Sequence, residues 1–152
     1  MKVLMVCLGN ICRSPLAHGI LDHKVKASGL NWEVDSAGTN GFHNDELPDP
    51  RSISKAGEYG MDLTYQRSRQ ITKQDLDYFE IIYVMDASNF QNVLRICDTE
   101  MQRDKITMIM NCVTPGQNVA VPDPYYGGED GFENVYQMLE EACEAIITQH
   151  QS

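Results

Sequence analysis

The stretch Tyr78-Phe79-Glu80-Ile81-Ile82-Tyr83-Val84-Met85 is almost unbroken apolar and aromatic sequence, and it constrains the fold more than any other feature of the chain. A strand with one wet face alternates apolar and polar residues, whereas a run without alternation needs cover on both sides. Such strands belong to parallel sheets sandwiched between helices. The rest of the chain supplies the other parts. Val3 to Leu8 is a shorter apolar run ending at Gly9-Asn10, and Leu16, Ala17, Ile20, Leu21 and Val25 follow near helical spacing. Ser14-Pro15 offers a capping hydroxyl and then proline at the first helical position. Trp32 to Ser36 predicts a second strand, and Gly38 to Arg51, rich in Gly, Asn, Asp and Pro, predicts a long loop. Asp86 opens a helix carrying Phe90, Val93, Leu94 and Cys97, and Ile106 to Met110 predicts a fourth strand. Phe132, Val135, Tyr136, Leu139, Ala142, Cys143 and Ile146 share one face of a long closing helix. The alternation implies one α/β domain over residues 1–152, a twisted parallel four-stranded sheet with helices on both faces and right-handed crossovers. Ligands of such sheets bind at the carboxyl ends of the strands, and the first such end is Cys7.

Composition removes several classes of function. The 152 residues carry 12 Lys and Arg against 22 Asp and Glu, a formal net charge of −10. That excess repels a phosphate backbone and an anionic lipid surface, so neither nucleic acid nor membrane is an expected partner. No apolar run approaches the ~20 residues needed to span a bilayer, and none has the length of a signal-peptide core. Five cysteines, Cys7, Cys12, Cys97, Cys112 and Cys143, are odd in number and scattered, unlike a secreted disulfide framework. The histidines are dispersed and no pair has zinc spacing. The expectation is a cytoplasmic monomer that uses neither metal nor cofactor.

Between the first strand and the first helix lies Cys7-Leu8-Gly9-Asn10-Ile11-Cys12-Arg13-Ser14. Backbone N–H groups at a helix N-terminus make an anion nest, and the helix dipole reinforces it. Gly9 tolerates backbone angles that other residues resist, and Asn10 does so more readily than most. The planar fork of Arg13 can hold two phosphoryl oxygens at once. A cysteine facing this positive field is favoured as the thiolate, the nucleophilic form. Taken alone, a cysteine six positions before an arginine fits equally a core thiol and a solvated helix residue. Its place at a strand-to-helix turn, with Gly-Asn inside and Ser-Pro at the end, points to oxyanion binding.

Val6-Cys7-Leu8-Gly9-Asn10-Ile11-Cys12-Arg13-Ser14-Pro15 closely resembles the signature loop of the low-molecular-weight protein tyrosine phosphatases. The resemblance continues at Asp35 to Thr39, Pro48 to Arg51, Ser68 to Gln70, Met85-Asp86 with Ser88-Asn89, and Asp123-Pro124-Tyr125-Tyr126-Gly127, so it spans nearly the whole chain. It implies a flavodoxin-like architecture and hydrolysis of phosphotyrosine on proteins through a phosphocysteine at Cys7. Residues Leu8 to Ser14 would form the phosphate loop, with Arg13 clamping the phosphoryl group and inorganic phosphate as product. Asp123, held extended between Pro122 and Pro124, would be general acid in the first step and general base in the second. From spacing alone Asp123 is also an ordinary loop acid, and the Asp-Pro-Tyr-Tyr match decides between the two. Tyr125 and Tyr126 would form an aromatic wall beside the substrate ring and Phe42 the opposite wall, while His43 reads as a solvated loop residue. Asn10, Ser14 and Ser36 would hold the loop in shape. Where animal members of the family complete that network with a histidine, this chain has Gln66. The resemblance also implies that oxidised Cys7 is captured by Cys12 in a reversible disulfide.

Thiol-coupled arsenate reduction on a similar scaffold is the main rival. It needs two relay cysteines a short helical span apart, and Cys97 and Cys112 are a poor match. A phosphotyrosine-binding module without turnover would have no need of Cys7, Arg13 and Asp123 together. A flavodoxin-like nucleotide binder would give no reason for Cys7 and Arg13 to flank the loop.

Overall fold

The computed structural model describes residues 1–126 and 129–150, excluding the side chains of Tyr126 and Glu129. Four strands, β1 (Lys2–Cys7), β2 (Glu33–Gly38), β3 (Ile81–Val84) and β4 (Ile106–Met108), form one all-parallel sheet in the order β2-β1-β3-β4. Within the apolar stretch at 78–85 only Ile81–Val84 becomes an interior strand, while Tyr78 closes the preceding helix and Phe79 caps it. Helices α1 (Arg13–Ala27), α2 (Pro50–Glu58) and α6 (Glu129–His150) pack together on one side, with α3 (Lys73–Tyr78), α4 (Ala87–Leu94) and α5 (Glu100–Arg103) completing the set.

Alternation along β1 explains how one strand serves two cores. Val3, Met5 and Cys7 join Tyr83, Leu16, Ile20, Leu139, Cys143 and Ile146 in the core under α1 and α6. Leu4 and Val6 point the other way, into a smaller core with Ile82, Val84, Leu76, Phe79 and Val93. The chain leaves β1 toward β2 on one side and later returns to β3 on the other. A crevice opens where the direction of winding reverses, at the carboxyl ends of β1 and β3.

Several boundaries differ from expectation. Helix α1 begins at Arg13, two residues before Pro15, and Cys12 rather than Ser14 sits at the cap, with no side-chain cap bond. Ser14 therefore does not cap the helix, because its hydroxyl is engaged with the loop. Residues 109–112 tighten into a 3-10 turn (Ile109–Cys112), which shortens β4. Strand β2 runs on to Gly38, and Cys97 lies beyond the end of α4, although it is buried. Helix α2 occupies the end of the expected long loop. Its sequence signal was present: Asp49 accepts a bond from Arg51 N as the cap, and Pro50 stands at the first helical position. Among the described residues no helix is long and apolar enough to cross a membrane.

Candidate active site

A cavity of about 250 Å³ opens at the carboxyl end of β1, lined by Cys7, Leu8, Gly9, Ile11, Cys12 and Arg13 from the loop. Asn40, Phe42 and His43 complete one side, Asp123 and Tyr125 the other. The loop can wrap this space because Asn10 adopts φ 57°, a left-handed conformation that asparagine tolerates. No side chain caps α1 and its first turn carries no acid, although the chain has 22. The donors at that helix end are thereby available to an anion.

Hydrogen bonds hold the surroundings of Cys7 in order. Asn10 Nδ2 donates to Ser14 Oγ at 2.7 Å, which leaves the Ser14 hydrogen for Cys7 Sγ, 3.1 Å away. Asn10 Oδ1 accepts from the Arg69 N–H at 3.0 Å. Arg69 is itself fixed by bidentate bonds to Asp75 and one to Asp35. Ser36 stands further back, its Oγ 3.0 Å from Nδ1 of the buried His18. Burial pushes the His18 pKa down, so its ring is a neutral partner for Ser36. Gln66 does not enter this ring of bonds. Its Nε2 donates to Pro15 O at 3.1 Å and braces the first turn of α1, while its Oε1 is buried without a partner among the described residues.

Arg13 is 2% exposed and is the electrostatic centre of the cavity. Its Nη1 donates to Asp86 Oδ2 at 2.6 Å and to Val121 O at 3.0 Å, and its Nη2 lies 3.8 Å from Asp123 Oδ2. Burial opposes the charge, but Cys7 and Asp86 outweigh it and move the guanidinium pKa up. Asp86 reaches this position as the N-cap of α4, directly after β3. Cys12 is a buried thiol whose pKa is pushed up to about 12, by burial first and by Asp49 second. That raises the cost of the Cys12 thiolate.

The structure thus brings Cys7, Arg13 and Asp123 together, with Phe42 and Tyr125 at the rim. Phe42 is 85% exposed. Tyr126 was expected beside Tyr125, but its side chain and Gly127 lie outside the described residues. His43 is a correction: it is not free in solvent but lines the cavity, packs against Gly9 and bonds Glu46 through Nδ1 at 2.8 Å. Asp86 and Arg69 also matter more than sequence reasoning alone could tell.

Close packing makes one glycine indispensable. A Cβ on Gly38 would meet Leu8 O at 2.9 Å and Asn10 N at 3.0 Å, both backbone atoms of the loop. Gly38→Ala is expected to displace the loop and lower kcat at least about tenfold, since sub-ångström misplacement of reacting groups is costly. Steady-state kinetics alongside thermal unfolding would check it, and unchanged kcat would mean that the loop tolerates the shift.

Comparison with known proteins follows the same lines. Residues 2–152 match the family described as low molecular weight phosphotyrosine protein phosphatase. The low molecular weight phosphotyrosine protein phosphatase 1 of Drosophila melanogaster is 39% identical over 148 residues, covering 96% of this chain and 94% of its own. A protein tyrosine phosphatase structure from Entamoeba histolytica superposes with a TM-score of 0.92 at 37% identity, covering 99% of this chain and 97% of that one. The structure of a drosophila arginine phosphatase also superposes with a TM-score of 0.92, at 33% identity, covering 100% and 99% of the two chains.

Proposed function

Because the chain belongs to the low molecular weight phosphotyrosine protein phosphatase family, we propose that it hydrolyses protein phosphotyrosine through a phosphocysteine at Cys7, without a metal. The observation that carries the proposal is that Asp123, from a distant part of the chain, meets Cys7 and Arg13 of the loop in one cavity. The Cys7 sulfur attacks phosphorus while the bond to the tyrosine oxygen breaks and Asp123 protonates the departing phenolate. Loop N–H groups and the Arg13 fork hold the phosphoryl oxygens. In the second step water attacks phosphorus, its proton passes to Asp123, and Cys7 leaves as a thiolate stabilised by the Ser14 hydroxyl. Inorganic phosphate is the product.

Phe42 and Tyr125 favour an aryl phosphate, since a ring can lie between them while the phosphate reaches the loop. By sequence, Tyr126 belongs to the same wall. Cys97 and Cys112 pack against cores on opposite faces of the sheet, which supports phosphoryl transfer over a thiol relay for arsenate. If Cys7 is oxidised to a sulfenic acid, the Cys12 thiol is placed in the same loop to condense with it, releasing water and forming a disulfide. A single-domain cytoplasmic monomer completes the reading, supported by the acidic composition and the five free thiols.

The testing experiment measures phosphate release from a phosphotyrosine peptide, a phosphoserine peptide and a phosphoarginine peptide in excess chelator. We expect kcat/KM for phosphotyrosine to exceed that for phosphoserine by about 100-fold or more. Preference for phosphoarginine would transfer the same chemistry to nitrogen-linked phosphate. Loss of all activity in chelator would refute the metal-free mechanism.

A further inference from the structure

Asp123 sits in a segment that needs a tether if its carboxyl is to stay over Cys7, and Arg51 supplies the contacts. Arg51 is the second residue of α2 and is not part of the cavity wall. Its Nε and Nη2 grip the two Asp49 carboxyl oxygens, each at 3.0 Å, and its Nη1 donates to Tyr125 O at 2.9 Å. The guanidinium also lies 5.2 Å from the Tyr125 ring centre and 4.8 Å from that of Phe132, a core residue on α6. At the other end, Asp49 N donates to Ile11 O at 2.8 Å. Tyr125 N in turn donates to Asp123 Oδ1 at 3.0 Å. A continuous path therefore runs from the nucleophile's loop through Asp49 and Arg51 to the segment that carries the acid.

We propose that Arg51 is a positioning residue that holds Asp123 in register with Cys7. The proposal rests on the assignment of Asp123 as proton donor. Only a guanidinium fits the place: one plane presents a fork to a buried carboxylate and a third N–H to a carbonyl, while its faces cover two rings. A lysine ammonium is a single point and cannot span Asp49 and Tyr125 O in that geometry. The Asp49 pKa is pulled down by its bonds to Arg51 against the opposing effect of burial, so the fork closes on an ionised group.

The test separates positioning from general stability through the leaving group. The ratio kcat/KM covers steps up to release of the phenol, where a poor leaving group needs the proton and a good one does not. In Arg51→Lys and Arg51→Gln we expect kcat/KM for phenyl phosphate to fall about tenfold. For 4-nitrophenyl phosphate it should change less than about twofold, and inhibition by inorganic phosphate should be unaltered. In an Asp123→Asn background, Arg51→Lys should produce no further leaving-group effect, because the two residues act as one unit. Equal slowing of both esters by the Arg51 variants, or undiminished effects in the Asp123→Asn background, would overturn the proposal and leave Asp123 as donor. If Asp123→Asn itself slows both esters equally, the donor assignment falls and the proposal falls with it.

Discussion

Cys7→Ser is expected to reduce turnover of a phosphotyrosine peptide by roughly 10⁴-fold or more while leaving the binding site assembled. A serine hydroxyl must lose its proton to attack phosphorus, and Asp123 cannot take it while it serves as the acid for the leaving group in that step. Its neighbours Ser14 and Asn10 bond as a donor chain directed at residue 7, the arrangement suited to an anion already formed. A thiolate needs no base, and it is also the better leaving group when water attacks the intermediate. The substitution changes one atom at a 3%-exposed position, so the loop and Arg13 should persist. Calorimetric titration with a phosphotyrosine peptide should then give a Kd close to the wild-type KM, with no heat from reaction. Turnover within about tenfold of wild type would remove Cys7 from its assigned role.

Which parts of this site could be read beforehand depends on the distance over which each is built. The loop was legible because its logic is local: a buried strand, then Gly9-Asn10, then Arg13 at the start of a helix. The sheet was legible because β1 and β3 are covered on both faces and so lack alternation. Ser14-Pro15 is a strong local capping signal that puts the helix start two residues late, because the bonds that divert Ser14 come from Asn10 and Cys7. Arg69 lies in a segment of the family resemblance, but its role is hidden for a different reason. Its N–H meets Asn10 only because the segment at 69–71 hydrogen-bonds to Gly38 at the end of β2, a contact set by the sheet. His43 likewise reaches the cavity through loop packing on Gly9, which residue type alone does not announce. Asp123 was placed by family resemblance, since nothing near it in sequence names its partner.

Arg13→Lys should show how much of the rate resides in geometry rather than in charge. Both residues are cations, but Arg13 performs two tasks with separate nitrogens. Nη1 is committed to the scaffold by Asp86 and Val121 O, whereas Nη2 lies on the side of Asp123, over the cavity. A lysine ammonium reaching Asp86 at 2.6 Å would form a compact ion pair and withdraw from the phosphate. If it turned to the phosphate instead, Asp86 would lose its strongest contact in a half-dry site, at a further cost. Neither position restores the paired donors that meet two equatorial oxygens as charge develops in the transition state. The expected loss is about 10²- to 10³-fold in kcat, with a smaller weakening of inhibition by inorganic phosphate, because the fork matters most to the transition state. Steady-state kinetics with phosphate and vanadate as paired inhibitors would measure both, the second ion approximating the five-coordinate geometry of transfer. If kcat stayed within twofold of wild type, a point charge would suffice and the fork would not be the main clamp.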